Sequence, residues 1–532
     1  MNTADISPII LQILSERGIT TTQDIKTFLN PDISSFSNPF SICGIQAATK
    51  LIEDAIYSKK RVFIYADGDM DGMAGAAMLS NIFKAMGLDF DIKLTHRLES
   101  YEIESEFVNN IKKMGYNLLI TIDTGTSSKK LIDYCEKTKF PLIIIDHHRT
   151  CIEKQPLHVV IVNPSLHKTN HDFITLTAAG LVLKLVQAIK ELFPFFPQDM
   201  FYPCIELGAM GTLNDHGMLT GENHTIVKMG LRQLGNTQIP GIERFKEHFY
   251  VPKKDEEIET ITHYLNPRLN TPGRFGKPEL AFKILTAGID ENIESVFEEI
   301  KTFEKEKQKI MRRLSSVVKN ENIEELPLFV FENIPVSFSG TFAARISEQF
   351  QMPALVAIKH NDIIQGSARG FDSINLYEFF YQMRDIFSSF GGHPNAIGFK
   401  MKSSNLPELK KLWKNIKIGE KSSPSVTKPV DIKLNDITIP LLKNLQMLRP
   451  FGPGNPQVTF KSYGVECVKI TRYQKTCAIA WIKQNNCLFE AHFPAKFTIP
   501  SRLLSISYTP VLQKSGDLYI AWLDIKDYSE IF

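Results

Sequence analysis

Apolar residues in this chain come in short runs that stop abruptly at acidic ones. Residues 61–66 (RVFIYA) form such a run, rich in β-branched and aromatic side chains, and predict a buried strand. It stops at Asp67, with Asp69 and Asp71 following at alternate positions, and the Ala- and Met-rich residues 73–86 predict the next helix. The pattern recurs. Residues 117–122 end at Asp123, and residues 141–145 end at Asp146, followed at once by His147 and His148. A further run, 159–162, ends at Asn163-Pro164, and a helical stretch over 204–213 delivers Asp215. Strands alternating with helices predict βαβ units around a parallel sheet. All the acidic strand ends then fall on one edge, the edge where open α/β sheets bind ligands.

The remaining pattern divides the chain. Residues 1–45 predict a helical N-terminal segment and 46–290 the parallel-sheet domain. Residues 291–323 predict a long, highly charged connecting helix, part of it a solvated face. Strand and helix alternation restarts over 324–418 and predicts a second α/β domain. The stretch GEKSSPSVTKP at 419–429 reads as a linker, and the short aromatic-containing strands of 425–532 predict a small β-barrel. Of its Phe460, Tyr463, Trp481 and Tyr519, most are expected in the barrel core.

Composition narrows the class only a little. The chain has 532 residues, 43% hydrophobic and 23% charged, which suits several globular domains. No apolar run reaches the ~18 residues a membrane span needs, and MNTADISPII lacks the basic and apolar regions of a signal peptide, so a cytoplasmic protein is expected. Seven scattered cysteines with no C-x-x-C pair indicate neither a disulfide framework nor a thiolate zinc site. Net charge is +2, but residues 421–532 hold 14 Lys/Arg against 8 Asp/Glu, leaving −4 for the rest. An acidic front and a basic tail suit a polyanionic substrate held by one part and processed by another; a basic tail is equally a solvated surface.

Three carboxylates within five residues repel one another unless cations neutralise them, so a metal site is the economical reading of Asp67, Asp69 and Asp71. A solvated acidic turn is the alternative, and the repetition at Asp123, Asp146 and Asp215 weighs against it. Neighbouring residues at a strand end point different ways, which divides His147 and His148 into one ligand and one substrate contact. Carboxylates with an imidazole and no thiolate suit a hard octahedral ion, Mn²⁺ or Mg²⁺. Two ions sharing a carboxylate would activate water and neutralise a phosphoryl oxygen. The second α/β segment has no acidic cluster. Its Ser367, Arg369 and Gly391-Gly392-His393 combine close backbone approach with phosphate donors.

The set Asp67-x-Asp69-x-Asp71-Gly72, Asp123, Asp146-His147-His148 and Asp215 resembles the DHH phosphoesterase superfamily, and within it the RecJ family of single-strand-specific 5′→3′ DNA exonucleases. The likeness runs through RGITT and FLNP near 17–31, VNP at 162–164, LGAMGTLND at 207–215 and GEN at 221–223. It continues through PRLNTPGR at 267–274, SGTFAARISE at 339–348, GSARG at 366–370, FGGH at 390–393 and PFGPGNP at 450–456. The resemblance implies a DHH-type parallel-sheet catalytic domain, a connecting helix, a DHH-associated (DHHA1) clamp domain and a C-terminal OB-fold barrel. It implies a two-ion Mn²⁺ or Mg²⁺ site of Asp67, Asp69, Asp71, Asp123, His147 and Asp215, with Asp69 and Asp71 the preferred direct ligands of the first motif. His148 would lie near the scissile phosphate, Asp146 would orient a ligand histidine, and Arg274 would contact phosphate near the catalytic side. Ser367, Arg369, Gly391, Gly392 and His393 would clamp the strand's end. Implied partners are single-stranded DNA, a single-strand-binding protein and a helicase, with no membrane; the implied role is DNA repair and recombination. The chain departs from the family at Gly68 and Met70, where an aromatic and a small residue are usual, and at His224, where arginine is usual.

Two competitors are weaker. DHH phosphodiesterases of short oligonucleotides or cyclic dinucleotides generally lack the barrel, and a non-catalytic DHH-fold replication scaffold would have lost ligands that are all present here.

Overall fold

The computed structural model describes residues 6–96, 103–149, 156–166, 173–252, 257–319, 326–371, 374–416, 428–473, 477–494, 503–515 and 518–530. Most of the stretch read as a linker, 419–429, lies outside the described residues. By contact the chain divides into two units: 1–37 with 218–229 and 425–532, and 38–217 with 230–424.

Two helices open the chain, α1 (Pro8–Glu16) and α2 (Thr22–Leu29). Thr21 caps α2, its Oγ1 accepting from Asp24 N at 3.1 Å. Both helices are amphipathic, and their apolar faces belong to the core of the barrel described below.

In the larger unit, β1 (Val62–Ala66), β2 (Phe90–Leu94), β3 (Leu118–Ile122), β4 (Leu142–Ile145) and β5 (Val159–Val162) form a wholly parallel sheet in the order β2-β1-β3-β4-β5. β3 and β4 carry no polar residue except Thr121, because both faces are covered. One face meets the helices Ser105–Lys113 and Lys129–Thr138 through Val108, Ile111, Leu131 and Cys135. On the other, α3 (Met70–Ala85), α4 (Ala178–Leu192) and α5 (Phe201–Asn214) pack on one another, each almost wholly buried.

The charged connecting stretch is one helix, α6 (Glu294–Lys319). Its apolar stripe is shared: Phe297 meets the Phe245 ring at 6.0 Å, while Leu314 and Val318 enter the core of a second sheet. That sheet comprises β6 (Leu328–Glu332), β7 (Ala354–His360), β8 (Ile363–Arg369), β9 (Ser389–His393) and β10 (Ala396–Lys402), ordered β6-β7-β8-β10-β9. Helix α7 (Ser339–Phe350) covers one face of it through Phe342, Ala343 and Ile346.

The smaller unit carries α8 (Ile439–Gln446) and β11 (Val430–Asp431), β12 (Phe460–Tyr473), β13 (Cys477–Gln484), β14 (Cys487–Pro494), β15 (Leu503–Ser515) and β16 (Leu518–Glu530). Pairing of β12 with β15 closes β12-β13-β14-β16-β15 into a five-stranded barrel. Phe460 is core, but the expectation for its companions is corrected: Tyr463 is 50% and Tyr519 39% exposed, and Trp481 is half-buried. Alternation along a strand sends these three outward while their neighbours fill the barrel.

Ile10, Ile13 and Leu14 of α1 and Ile25 and Leu29 of α2 share one core with the barrel's Leu504, Ile506 and Tyr508. Three distant motifs meet beside it. Arg17 bonds Asn455 Oδ1 and, at 2.8 Å, Pro456 O; Leu219 N donates to Pro453 O at 2.6 Å; Lys228 Nζ donates to Phe28 O at 3.2 Å and Met447 O at 2.5 Å. His224 stacks on Phe28 with ring centroids 3.9 Å apart. Burial, with Lys228 and Arg17 nearby, pushes its pKa down to about 3, so it packs as a neutral ring.

Candidate metal centre

β1 and β3 are neighbours, and the chain leaves β1 for β2 on one side but returns to β3 on the other. Strand order reverses between them, which opens a crevice at their carboxyl ends. Asp67 follows β1 and Asp123 follows β3, so the first two acidic ends face each other across it.

Helix α3 begins at Met70, earlier than the expected 73, because Asp69 caps it: Oδ1 accepts from Asp71 N at 2.9 Å. Asp71 therefore lies in the first helical turn, fully buried, and reaches the N-terminus of α4. Its two carboxylate oxygens accept from Ala178 N and Ala179 N, both at 2.9 Å. Gly211 of α5 allows this, since a Cβ there would lie 2.7 Å from Asp71 Oδ1. Asp215, the C-cap of α5, arrives beside it.

His147 joins these groups. Its Nε2 is 3.3 Å from Asp123 Oδ1, 3.5 Å from Asp215 Oδ2 and 3.8 Å from Asp71 Oδ2. Among the described residues, ligand atoms of Asp71, His147 and Asp215 lie within 4.8 Å of one another, as do those of Asp67, Asp69 and Asp123 and those of Asp123, His147 and His148. Asp123 stands in two of these groups and within 3.3 Å of the remaining one.

The electrostatics fit cations. Asp123 is buried in a left-handed backbone conformation (φ 59°), and its Oδ1 accepts no protein hydrogen bond. A buried carboxylate oxygen without a donor is costly unless a cation meets it. Burial among like charges pushes Asp71 up to about 6 despite His147, raises Asp123 well above the carboxylate range, and raises Asp215. Oxygen donors with one or two imidazole nitrogens form a hard-ion set.

Asp146 plays a different part. Oδ1 accepts from His147 N at 2.8 Å and His148 N at 3.1 Å and pairs with His148 Nδ1 at 2.7 Å, while Oδ2 accepts from Thr126 N at 3.1 Å. The ring it orients is thus that of His148. Burial would raise Asp146, but its bonds and attraction to the histidines hold it well below the usual range. Burial would lower His148, but its bond to Asp146 and the charge of Asp123 outweigh this and raise it to about 9. The His148 side chain is 43% exposed.

Several residues here were not singled out from the sequence. Asn163 Nδ2 holds His148 O at 3.0 Å, Thr126 supports Asp146, and Thr95 Oγ1 donates to Asp67 Oδ1 at 2.7 Å. Asn270 Nδ2 donates to Asn214 Oδ1 at 2.6 Å, beside Asp215. Asn163 and Asn270 stand in stretches of recognisable pattern; Thr95 ends an ordinary strand and carried no signal. Arg274 lines a pocket with Asp67, Gly68, Asp69, Thr95, Asn270 and Gly273, and its NH1 donates to Ser337 O at 2.5 Å.

Of the clamp candidates, Ser367, Arg369 and Gly391 share one face of the second sheet. Ser367 pairs across β10 Gly398 to Gly391, and Arg369 across Ala396 to His393, so these lie on one side and Gly392 on the other. Nothing stands within 4 Å of a Cβ at Gly391, and Gly398 is nearly as open, leaving a shelf of bare backbone next to Ser367 and Arg369. Ser367 Oγ meets Ser339 Oγ at 3.0 Å, where α7 begins. The His393 side chain lies outside the described residues.

Comparison with known proteins agrees with this layout. Family models match in sequence order: the DHH family N-terminal domain over residues 61–212, the DHHA1 domain over 327–417 and the RecJ OB domain over 430–496. The chain carries a DHH domain, a DHHA1 domain and a RecJ-type OB domain in the order that the RecJ group shows. It is 27% identical over 465 residues to the single-stranded-DNA-specific exonuclease RecJ of Bacillus subtilis, covering 85% of this chain but 58% of that protein. To RecJ of Thermus thermophilus it is 25% identical over 429 residues, covering 79% of this chain and 62% of that one. The chain thus spans about three-fifths of these RecJ proteins. The crystal structure of Thermus thermophilus RecJ in complex with Mn²⁺ superimposes with a TM-score of 0.78 at 19% identity, over 99% of this chain and 79% of that one. A manganese-bound RecJ exonuclease superimposes at 0.59 with 25% identity, over 70% of this chain and 94% of that one. The RecJ barrel and both α/β domains are therefore present here.

Proposed function

We propose that this protein is a RecJ-group, metal-dependent exonuclease that degrades single-stranded DNA from its 5′ end, releasing mononucleotides. The observation that carries the reading is Asp123: a buried carboxylate, its Oδ1 without a hydrogen-bond donor, that stands in two ligand groups at the sheet's switch point. Asp67, Asp69 and Asp123 would hold one ion, Mn²⁺ or Mg²⁺, and Asp71, His147, Asp215 and Asp123 the other. Bound ions supply an activated water and neutralise charge on the scissile phosphate.

The protein's own groups do the rest. His148, cationic and held by Asp146, donates to a phosphate oxygen at the cleavage point. Arg274 contacts phosphate from the pocket wall beside Asp67 and Asp69. Ser367 and Arg369, with His393 as a further donor, hold the strand's terminal phosphate over the shelf at Gly391 and Gly398, setting how far the end reaches toward the metals. The outward aromatic residues of the basic barrel stack bases without reading sequence. A strand-separating helicase and a single-strand-binding protein are the partners that supply and coat such a substrate in DNA repair and recombination. Among the described residues no helix is long and apolar enough to cross a membrane, and we place the enzyme in the cytoplasm.

Strands labelled at the 5′ or the 3′ end, incubated with Mn²⁺, Mg²⁺ or chelator, test this directly. Early release of the 5′ label as a mononucleotide, only with metal, is expected; early release of the 3′ label, or turnover in chelator, overturns it.

A further inference from the structure

Thr95 stands immediately after β2, the edge neighbour of β1. Its amide continues the ladder, donating to Ala66 O at 2.9 Å, and its Oγ1 donates to Asp67 Oδ1 at 2.7 Å. Both bonds hold the end of β1 against the residue that follows β2. Gly68 permits the approach: a Cβ at that position would sit 1.8 Å from Thr95 O and 3.2 Å from Pro278 Cβ. On the far side, a Cβ at Gly273 would fall 3.0 Å from Gly68 O, so the short segment carrying Asp67 and Asp69 is held from two directions.

We infer that Thr95, seated by Gly68, is a positioning residue for the Asp67 carboxylate in the ligand group of Asp67, Asp69 and Asp123. Asp67 opens the three-residue segment between β1 and α3, where its carboxylate can adopt more than one rotamer. A hydroxyl donating to one of its oxygens fixes the rotamer and aims the group before any ion arrives. Ordering the ligand beforehand removes an entropic cost from ion binding, and loss of such outer hydrogen bonds typically weakens metal affinity about 10–100-fold. This inference rests on the metal-centre reading above.

The test is Mn²⁺ titration by calorimetry and by electron paramagnetic resonance on the full chain and on Thr95→Val, Thr95→Ser and Gly68→Ala. Thr95→Val keeps the shape and removes the donor; Thr95→Ser keeps the donor. Thr95→Val should weaken one of the two ions about 10–100-fold, with Thr95→Ser within about threefold of the unmodified chain. Metal-free melting of Thr95→Val should be little changed; if that variant does not fold, Thr95→Ala takes its place in the comparison. Gly68→Ala should weaken the same ion, and adding Thr95→Val to it should cost little more, as residues acting through one ligand are not additive. Unchanged affinity in Thr95→Val, or Thr95→Ser as weak as Thr95→Val, overturns the role of the hydroxyl. An unmodified chain that binds no Mn²⁺ overturns the metal centre itself, an outcome distinct from both.

Discussion

Arg274 and Ser337 hold each other reciprocally: Arg274 NH1 donates to Ser337 O at 2.5 Å, and Ser337 Oγ donates to Arg274 O at 2.7 Å. Arg274 lines the pocket beside Asp67 and Asp69, while two residues beyond Ser337 the Ser339 hydroxyl meets Ser367 on the second sheet. Arg274, Ser337, Ser339 and Ser367 thus lead from the pocket beside the candidate metal centre to the glycine shelf.

Breaking that link should separate two effects. Ser337→Ala removes one neutral hydrogen bond and should cost about 1 kcal/mol of stability, with binding of a short strand nearly kept. Arg274→Ala would also remove the proposed phosphate contact and should weaken short-strand binding by about 10-fold or more, the range of a charge-assisted hydrogen bond. Denaturant melts alongside fluorescence anisotropy check this; equal binding losses in both variants would leave Arg274 with only a structural part.

Asp123→Asn should abolish activity and yet stabilise the metal-free fold. Burial beside Asp71 and other carboxylates raises the Asp123 pKa, so its ionised form is a liability without an ion. Thermal melts with and without Mn²⁺ read both sides: the unmodified chain should gain stability from Mn²⁺, and the variant should gain far less.

The same physics sets a pH dependence. Asp71 is held at about 6, above its ordinary value near 4, so between these pH values the folded chain binds more protons than the unfolded one. Stability of the metal-free protein should therefore fall as pH rises from about 4 to about 6. Saturating Mn²⁺ should flatten that slope, and melts at fixed ionic strength measure it.

The glycine shelf offers a paired test. A Cβ on Gly391 meets open space, whereas Gly392 has φ 141° and its Cβ would lie 2.1 Å from Ala396 O. Gly391→Ala should leave the melt unchanged and weaken strand binding; Gly392→Ala should destabilise the domain. Arg369→Ala should cost about one to two decades of affinity for a 5′-phosphorylated strand, with bound Mn²⁺ unchanged.

Deleting residues 425–532 should do more than weaken DNA binding. The apolar faces of α1 and α2 are covered by the barrel core, so the shortened chain should expose Ile10, Leu14 and Leu29 and bind a hydrophobic dye. Charge-reversing substitutions on the barrel surface, which leave that core whole, are the cleaner way to read its contribution to the salt dependence of binding.

The parallel sheet, the second α/β domain and the barrel were legible along the chain, because buried strands need unbroken apolar runs and a polar residue ends them where the backbone reaches solvent or a site. The acidic ends were legible for the same reason. What the linear pattern could not carry was which carboxylate does what. Asp71 is anchored to two amides of α4, Asp69 caps its own helix, and among the described carboxylates Asp123 is the one shared between ligand groups; the roles of Asp71 and Asp123 depend on partners far off in sequence. Asp146 was expected to orient a ligand histidine; it holds the ring of His148 and the amides of both histidines, partners that the tripeptide alone does not distinguish. Thr95 left no mark, since a threonine at a strand end is ordinary until Gly68 brings the next strand against it. The joining of α1 and α2 to the barrel was equally invisible. Periodicity reports that a face will be buried, and only the tertiary structure decides against what.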